Sequence, residues 1–226
     1  MTSNITLPDV RRVDAGLAVV DTVVVREPAR QREVAETLLT ADRPWNDGLL
    51  SDTVFLGTDG HTVLRYSQWT GEEALDGAAV RDPEPVERTV GVVSSVRHRL
   101  YRSAVPKEVP TPGIIVVVTF DTADAETGRR VVDALLDRHP ATHPATMGTE
   151  FPEGMGGNHF HIALDGTQMV NWAEFTDELS HQRVVENQLR ADDDVPRLIA
   201  DTPGLTGRGF RRYLPHGTAT PDGWVR

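Results

Sequence analysis

Two histidines and an asparagine, set in neighbouring strand-like segments, are the residues of this chain best suited to chemistry. His159 and His161 alternate with apolar residues across Asn158–Leu164, and Asn171 lies in the apolar stretch Gln168–Phe175 that follows. Successive side chains on a strand point to opposite faces. His159, His161 and Ala163 therefore share a face of one strand, and Met169, Asn171, Ala173 and Phe175 share a face of the next. A surface of two imidazoles, an amide and small side chains suits a pocket wall better than a packed core, because each buried polar group needs a partner. Imidazole titrates near neutrality and can move a proton. The pair His159-x-His161, with His139, His143 and Glu150 or Glu153 close in sequence, also raises zinc or iron ligation. No second spaced pair accompanies it, so no metal is expected.

The segments that must position these residues occur twice. Asp59-Gly-His-Thr-Val-Leu-Arg65-Tyr-Ser-Gln-Trp69-Thr70 is echoed by Asp165-Gly-Thr-Gln-Met-Val-Asn171-Trp-Ala-Glu-Phe175-Thr176 at an offset of 106, and Leu38 in one helix-like segment matches Leu135 at 97. Repeats of this length duplicate a whole domain, since solenoid periods run about 20–50 residues. In the first copy, Leu17–Arg26 reads as a strand, Gln31–Thr40 as a helix, and Ser51–Leu56 with Thr62–Trp69 as a hairpin turned at Asp59-Gly60, where both central residues of a two-residue turn would take positive φ. Thr70 and Glu73 fit a capping box for a short helix, and Val90–Tyr101 is a fourth strand. The second copy repeats the order with Ile114–Phe120, Glu126–Arg138, Asn158–Leu164, Gln168–Phe175, Asp177–Leu189 and Gly209–Leu214. This β-α-β-β-α-β succession is the ferredoxin-like unit. Its sheet leaves one face uncovered by its own helices, and a second copy is the natural cover.

Composition narrows the function. A formal net charge of −11 over 226 residues argues against nucleic acid or an anionic membrane as partner. Absence of cysteine excludes disulfides and thiolate nucleophiles. No basic stretch followed by an apolar core opens the chain, and no apolar run nears the roughly 20 residues of a spanning helix, so a cytoplasmic location is expected.

The pattern His161-x-x-x-Asp165-Gly166-x-x-x-x-Asn171-x-x-x-Phe175 resembles that of the antibiotic biosynthesis monooxygenase family, in which Trp stands at the last position. The first copy keeps that Trp as Trp69 but has Arg65 for the Asn and Phe55 for the His. The resemblance implies an α+β fold of two tandem ferredoxin-like domains closing into an intramolecular pseudo-dimeric barrel. It further implies cofactor-independent oxidation of an aromatic, polyketide-like phenol or anthrone to a quinone by O2. On that reading Asn171 donates a hydrogen bond to the substrate oxygen and His161 is the base or an orienting donor. Trp69, Arg65, Phe175 and His159 line the substrate, and no cofactor is required. A polyketide cyclase of the same fold and a non-catalytic ligand-binding barrel are the alternatives. Haem degradation would use His181 with Asn171, but Phe175 replaces the Trp it needs. The expected domains are residues 13–104 and 114–216, joined by a Pro-rich linker at 105–113 and followed by a loose tail at 217–226. A monomer or weak homodimer is expected.

Overall fold

The computed structural model describes residues 7–40, 45–78, 90–137, 151–188 and 194–225. The chain forms two compact units, one comprising Met1–Arg99 with Tyr213–Arg226, the other Leu100–Arg212. The first contains β1 (Leu17–Val25), a 3-10 turn at Pro28–Arg30, α1 (Gln31–Thr40), β2 (Leu49–Gly57), β3 (Thr62–Trp69), α2 (Glu72–Asp76) and the start of β4 (Val90–Ala104). The second contains the end of β4, then β5 (Ile114–Thr122), α3 (Ala125–Leu136), β6 (Met155–Ala163), β7 (Gln168–Phe175), α4 (Glu178–Gln188), α5 (Asp194–Asp201) and the start of β8 (Leu205–Thr220). A short β9 (Gly223–Val225) pairs with the end of β8.

Strand order is β2-β3-β1-β4 in the first unit and β6-β7-β5-β8 in the second, so each is an α+β antiparallel sheet with the ferredoxin-like arrangement. Each sheet buries one face under helices. In the first unit Val34, Ala35 and Leu39 of α1 pack on Val23, Val54, Leu56 and Val63. In the second, Val131, Val132 and Leu135 of α3 pack on Phe120, Phe160, Ile162 and Met169, while Val184 of α4 covers Ile114, Val116, Ala173 and Phe175. The α3 start is capped by Asp124, whose carboxylate accepts from Thr127 N at 2.7 Å.

Three sequence expectations need correction. The Asp-Gly hairpins are not two-residue turns. Gly60 and Gly166 take positive φ (75° and 74°), but among the described residues no non-glycine residue does. Gly60 N instead donates to Gly57 O at 3.1 Å, and Asp59 Oδ1 accepts from His61 N and Thr62 N at 2.8 Å, closing a four-residue loop through the side chain. Thr70 does not cap α2, whose N-cap is Gly71 without a side-chain hydrogen bond. Residues 217–220 are no loose tail, since β8 continues through them and Gly217, Thr218 and Ala219 pair with Val54, Thr53 and Asp52. Residues 105–113 connect β4 to β5 and fall within the second compact unit.

Candidate active site

The β6/β7 hairpin decides which side chains meet. Phe160 pairs with Asn171, Asn158 with Ala173, His161 with Val170 and His159 with Trp172. Directly paired residues share a face, and these pairs join residues of opposite numerical parity because the intervening loop, 164–167, is even in length. Asn171 therefore lies with Asn158, Phe160 and Ala173 on the face under α3 and α4, while His159 and His161 lie on the other face with Val170 and Trp172. The structure does not bring His161 and Asn171 together.

On the helix-covered face Asn171 is buried, and its Nδ2 donates to Asn158 Oδ1 at 2.8 Å. Asn158 Nδ2 in turn donates to Met155 Sδ at 3.4 Å. Met155 reaches this face through a β-bulge. The register slips between Met155 and Gly157, so Met155 pairs with Phe175 and Gly157 with Glu174. Gly157 adopts φ 156°, and a Cβ there would stand 2.9 Å from Val105 Cγ1. Asn171 Oδ1 is buried without a hydrogen-bond partner. An unsatisfied buried carbonyl typically costs about 1–3 kcal/mol.

Further along the same face, Phe175 meets His181 of α4 edge-on with ring centroids 5.0 Å apart, and His181 meets Phe210 of β8 at 4.8 Å. Arg212 Nε donates to His181 Nδ1 at 2.9 Å, and its Nη2 donates to Gln182 Oε1 at 2.6 Å. Burial, reinforced by the Arg212 charge, lowers the His181 pKa to about 4. A neutral ring that accepts at Nδ1 carries its proton on Nε2, so His181 is a fixed donor near pH 7 and not a base.

On the opposite face, His161 Nδ1 stands 3.1 Å from the His159 carbonyl. His159 Nδ1 is 2.9 Å from Ser103 Oγ, and its Nε2 is 3.6 Å from Glu174 Oε1. Both rings are almost fully buried.

The first unit presents the same positions with different chemistry. Arg65 and Trp69 stand where Asn171 and Phe175 do. Arg65 is clamped by Asp52, Nε to Oδ1 at 2.7 Å and Nη2 to Oδ2 at 2.8 Å, with Asp21 at 3.5 Å. Burial alone would lower the Arg65 pKa, but Asp52 outweighs it and the guanidinium is held charged. Burial raises the Asp21 pKa against the opposing pull of Arg65. Trp69 Nε1 donates to Ser67 Oγ at 3.0 Å. Arg65 is thus spent on an internal pair. Trp45 is a loop anchor, its Nε1 donating to Leu49 O at 2.8 Å. An open groove of about 580 Å3 beside it is lined by Asp47, Thr70 and Glu73 and contains none of the expected site residues.

Asn158, Met155 and Arg212 escaped the sequence reading. A signal for Asn158 was present, because Asp52 and Arg65 form an obvious acid–base couple and the offset of 106 maps them onto Asn158 and Asn171. His139, His143 and Glu150 lie outside the described residues. Among the described residues, no group of three His, Asp or Glu side chains could hold a metal ion, and no helix is long and apolar enough to cross a membrane.

Known structures share this architecture. An anthrone oxidase-like protein superposes with a TM-score of 0.68 at 17% identity, covering 92% of this chain and 94% of its own. A protein from Fusobacterium nucleatum, provisionally described as a monooxygenase, gives 0.58 at 9% identity over 95% of this chain and 99% of its own. A ferredoxin-fold protein from Listeria monocytogenes related to antibiotic biosynthesis monooxygenases gives 0.50 at 11% identity over 89% and 95%. No family model and no curated protein sequence matches. The fold is therefore that of monooxygenase-like, ferredoxin-fold proteins.

Proposed function

We propose that this chain is a cofactor-independent monooxygenase of the antibiotic biosynthesis monooxygenase type, working at Asn171 in the second repeat. Its substrate is an aromatic, polyketide-like phenol or anthrone, oxidised to a quinone by O2. The two repeats close into an intramolecular α+β barrel that acts as a cytoplasmic monomer or weak homodimer. The observation that carries this reading is the buried, unpartnered Asn171 Oδ1 on the helix-covered face, set in a fold shared along nearly its whole length with an anthrone oxidase-like protein.

For an anthrone the reaction balances without an added reductant. Loss of a methylene proton gives an electron-rich anion that reduces O2. One oxygen atom becomes the new carbonyl, and the other leaves as water with both methylene hydrogens. The protein contributes orientation and charge stabilisation. Asn171 Oδ1 accepts from a substrate hydroxyl, and His181, held neutral by burial and Arg212, donates from Nε2 to the developing oxyanion. Phe175 and Phe210 flank that donor. His161 has no part in this scheme, because it occupies the other face of the sheet.

The test is quinone formation from 1,8-dihydroxyanthrone by purified, metal-free protein. Conversion under air that exceeds the spontaneous rate, stops under nitrogen and falls at least about tenfold in Asn171→Ala supports the proposal. Binding without conversion would leave a ligand-binding barrel, and ring closure of a poly-keto substrate would make the protein a cyclase.

A further inference from the structure

Resting on the site just proposed, a second feature narrows the substrate class. We propose that Met155, Asn158 and Asn171 form a polarity relay that fixes Asn171 as a hydrogen-bond acceptor and restricts the site to ligands presenting a hydroxyl or N–H at that point. Carboxamides are ambiguous because rotation by 180° exchanges donor and acceptor. Here the ambiguity is resolved from one end. A thioether sulfur has no hydrogen to donate, so the end of Asn158 facing Met155 Sδ at 3.4 Å is its Nδ2. Oδ1 of Asn158 then faces Asn171 and requires an N–H there, supplied by Asn171 Nδ2 at 2.8 Å. Asn171 Oδ1 is left pointing away, buried and without a partner. Met155 and Asn158 are positioning residues that act through Asn171.

The bulge at Gly156–Gly157 makes the relay possible. Residues three apart on a regular strand face opposite ways, and the extra residue returns Met155 to the face of Asn158, as their pairing with Phe175 and Ala173 records. The first repeat is the natural control. A register slip at the same place, between Leu49 and Ser51, sets Leu49 opposite Trp69. Leucine occupies the methionine position there, and the couple beyond it is Asp52 with Arg65. A carboxylate and a guanidinium have fixed polarity and need no orienting neighbour. The sulfur accompanies the pair whose polarity has to be chosen.

The experiment compares the affinities of 1,8-dihydroxyanthrone and 1,8-dimethoxyanthrone, measured under nitrogen by tryptophan quenching, for wild type, Met155→Leu and Asn158→Asp. The dimethoxy probe has acceptors only. Wild type should favour the dihydroxy probe by at least about tenfold, the effect of one buried hydrogen bond. Met155→Leu, which introduces the residue of the first repeat, should reduce that preference to about threefold or less. Asn158→Asp still accepts from Asn171 Nδ2 and should retain it. In the ligand-free protein, one Asn171 Nδ2 proton should exchange slowly by NMR, and the Asn158 Nδ2 protons should show contacts to the Met155 methyl group. Equal affinities in wild type, no binding of either probe, an unchanged preference in Met155→Leu, or Asn171 in place of Asn158 against the methionine methyl would each overturn the relay. A preference without oxygen-dependent conversion would sink the oxygenase reading and leave the relay standing.

Discussion

Residue positions 65 and 171, equivalent in the two repeats, have taken opposite routes to the same physical requirement. A polar side chain on the helix-covered face must be paired. Arg65 meets this with a bidentate carboxylate, Asp52, which is itself fully buried. Removing one partner leaves an uncompensated buried charge, so Arg65→Ala should cost roughly 3–5 kcal/mol in denaturant unfolding. The double replacement Asp52→Asn with Arg65→Asn, which copies the second repeat, should recover most of that loss. A cost below about 1 kcal/mol for Arg65→Ala would mean that the pair is not buried as described. His181 makes a second prediction at this scale. Its folded-state pKa of about 4 lies below the ordinary value of 6.5, so the unfolded chain binds the proton more readily. The stability from the neutral, buried ring is complete above pH 6.5 and is lost as pH falls from there through 4. Wild type should lose roughly 2 kcal/mol more than His181→Gln across that window in pH-dependent unfolding; parallel profiles would contradict it. Asn171 and Arg65 were legible in the sequence because each sits in a repeated motif. Their partners were legible only through the offset of 106, which maps Asp52 onto Asn158. Which residues of β6 face Asn171 depends on the length of the loop between the strands, and a one-residue change there moves every histidine to the other face.

At the scale of elements, the strands and helices that carry the site followed from periodicity, and their ends did not. The β2/β3 and β6/β7 hairpins and helices α1 and α3 lie close to where the repeated apolar pattern sets them. The Asp-Gly pairs marked the turns correctly, yet the Asp side chains accept backbone N–H groups across four-residue loops, a local chemistry that a two-residue rule does not capture. The bulge at Gly156–Gly157 was hidden as well, since two glycines before an alternating run also fit an ordinary loop. β8 was read as far as Leu214 but reaches Thr220. Its final segment, His-Gly-Thr-Ala-Thr, has no apolar alternation, and its order comes from pairing with β2, a partner distant in sequence. Helix α3, which covers Phe160 and Met169 beside Asn171, depends on its Asp124 cap. Asp124→Ala should cost about 1 kcal/mol, read as a lower midpoint in urea with an unchanged slope. A neutral result would show the cap to be replaced by water.

Across the whole molecule, the two units share one strand order but differ at equivalent positions: among the described residues Asn171 Oδ1 of the second is buried without a partner, while Arg65 of the first is paired with Asp52. Two units of like strand order could be expected from the offset of 106, because similar hairpins keep turn residues and alternation even where side-chain chemistry diverges. The division of roles between the copies could not, since it depends on which polar groups find partners in three dimensions. The proposed oxygen chemistry belongs to the second repeat and to Asn171. Oxygen uptake by metal-free protein with 1,8-dihydroxyanthrone tests it most directly, with Asn171→Ala compared against Trp69→Phe, which gives the first repeat the aromatic residue of the second. Protein-dependent uptake should fall at least about tenfold in Asn171→Ala and stay within about twofold of wild type in Trp69→Phe. Uptake that survives loss of Asn171, or that collapses with Trp69, would contradict it.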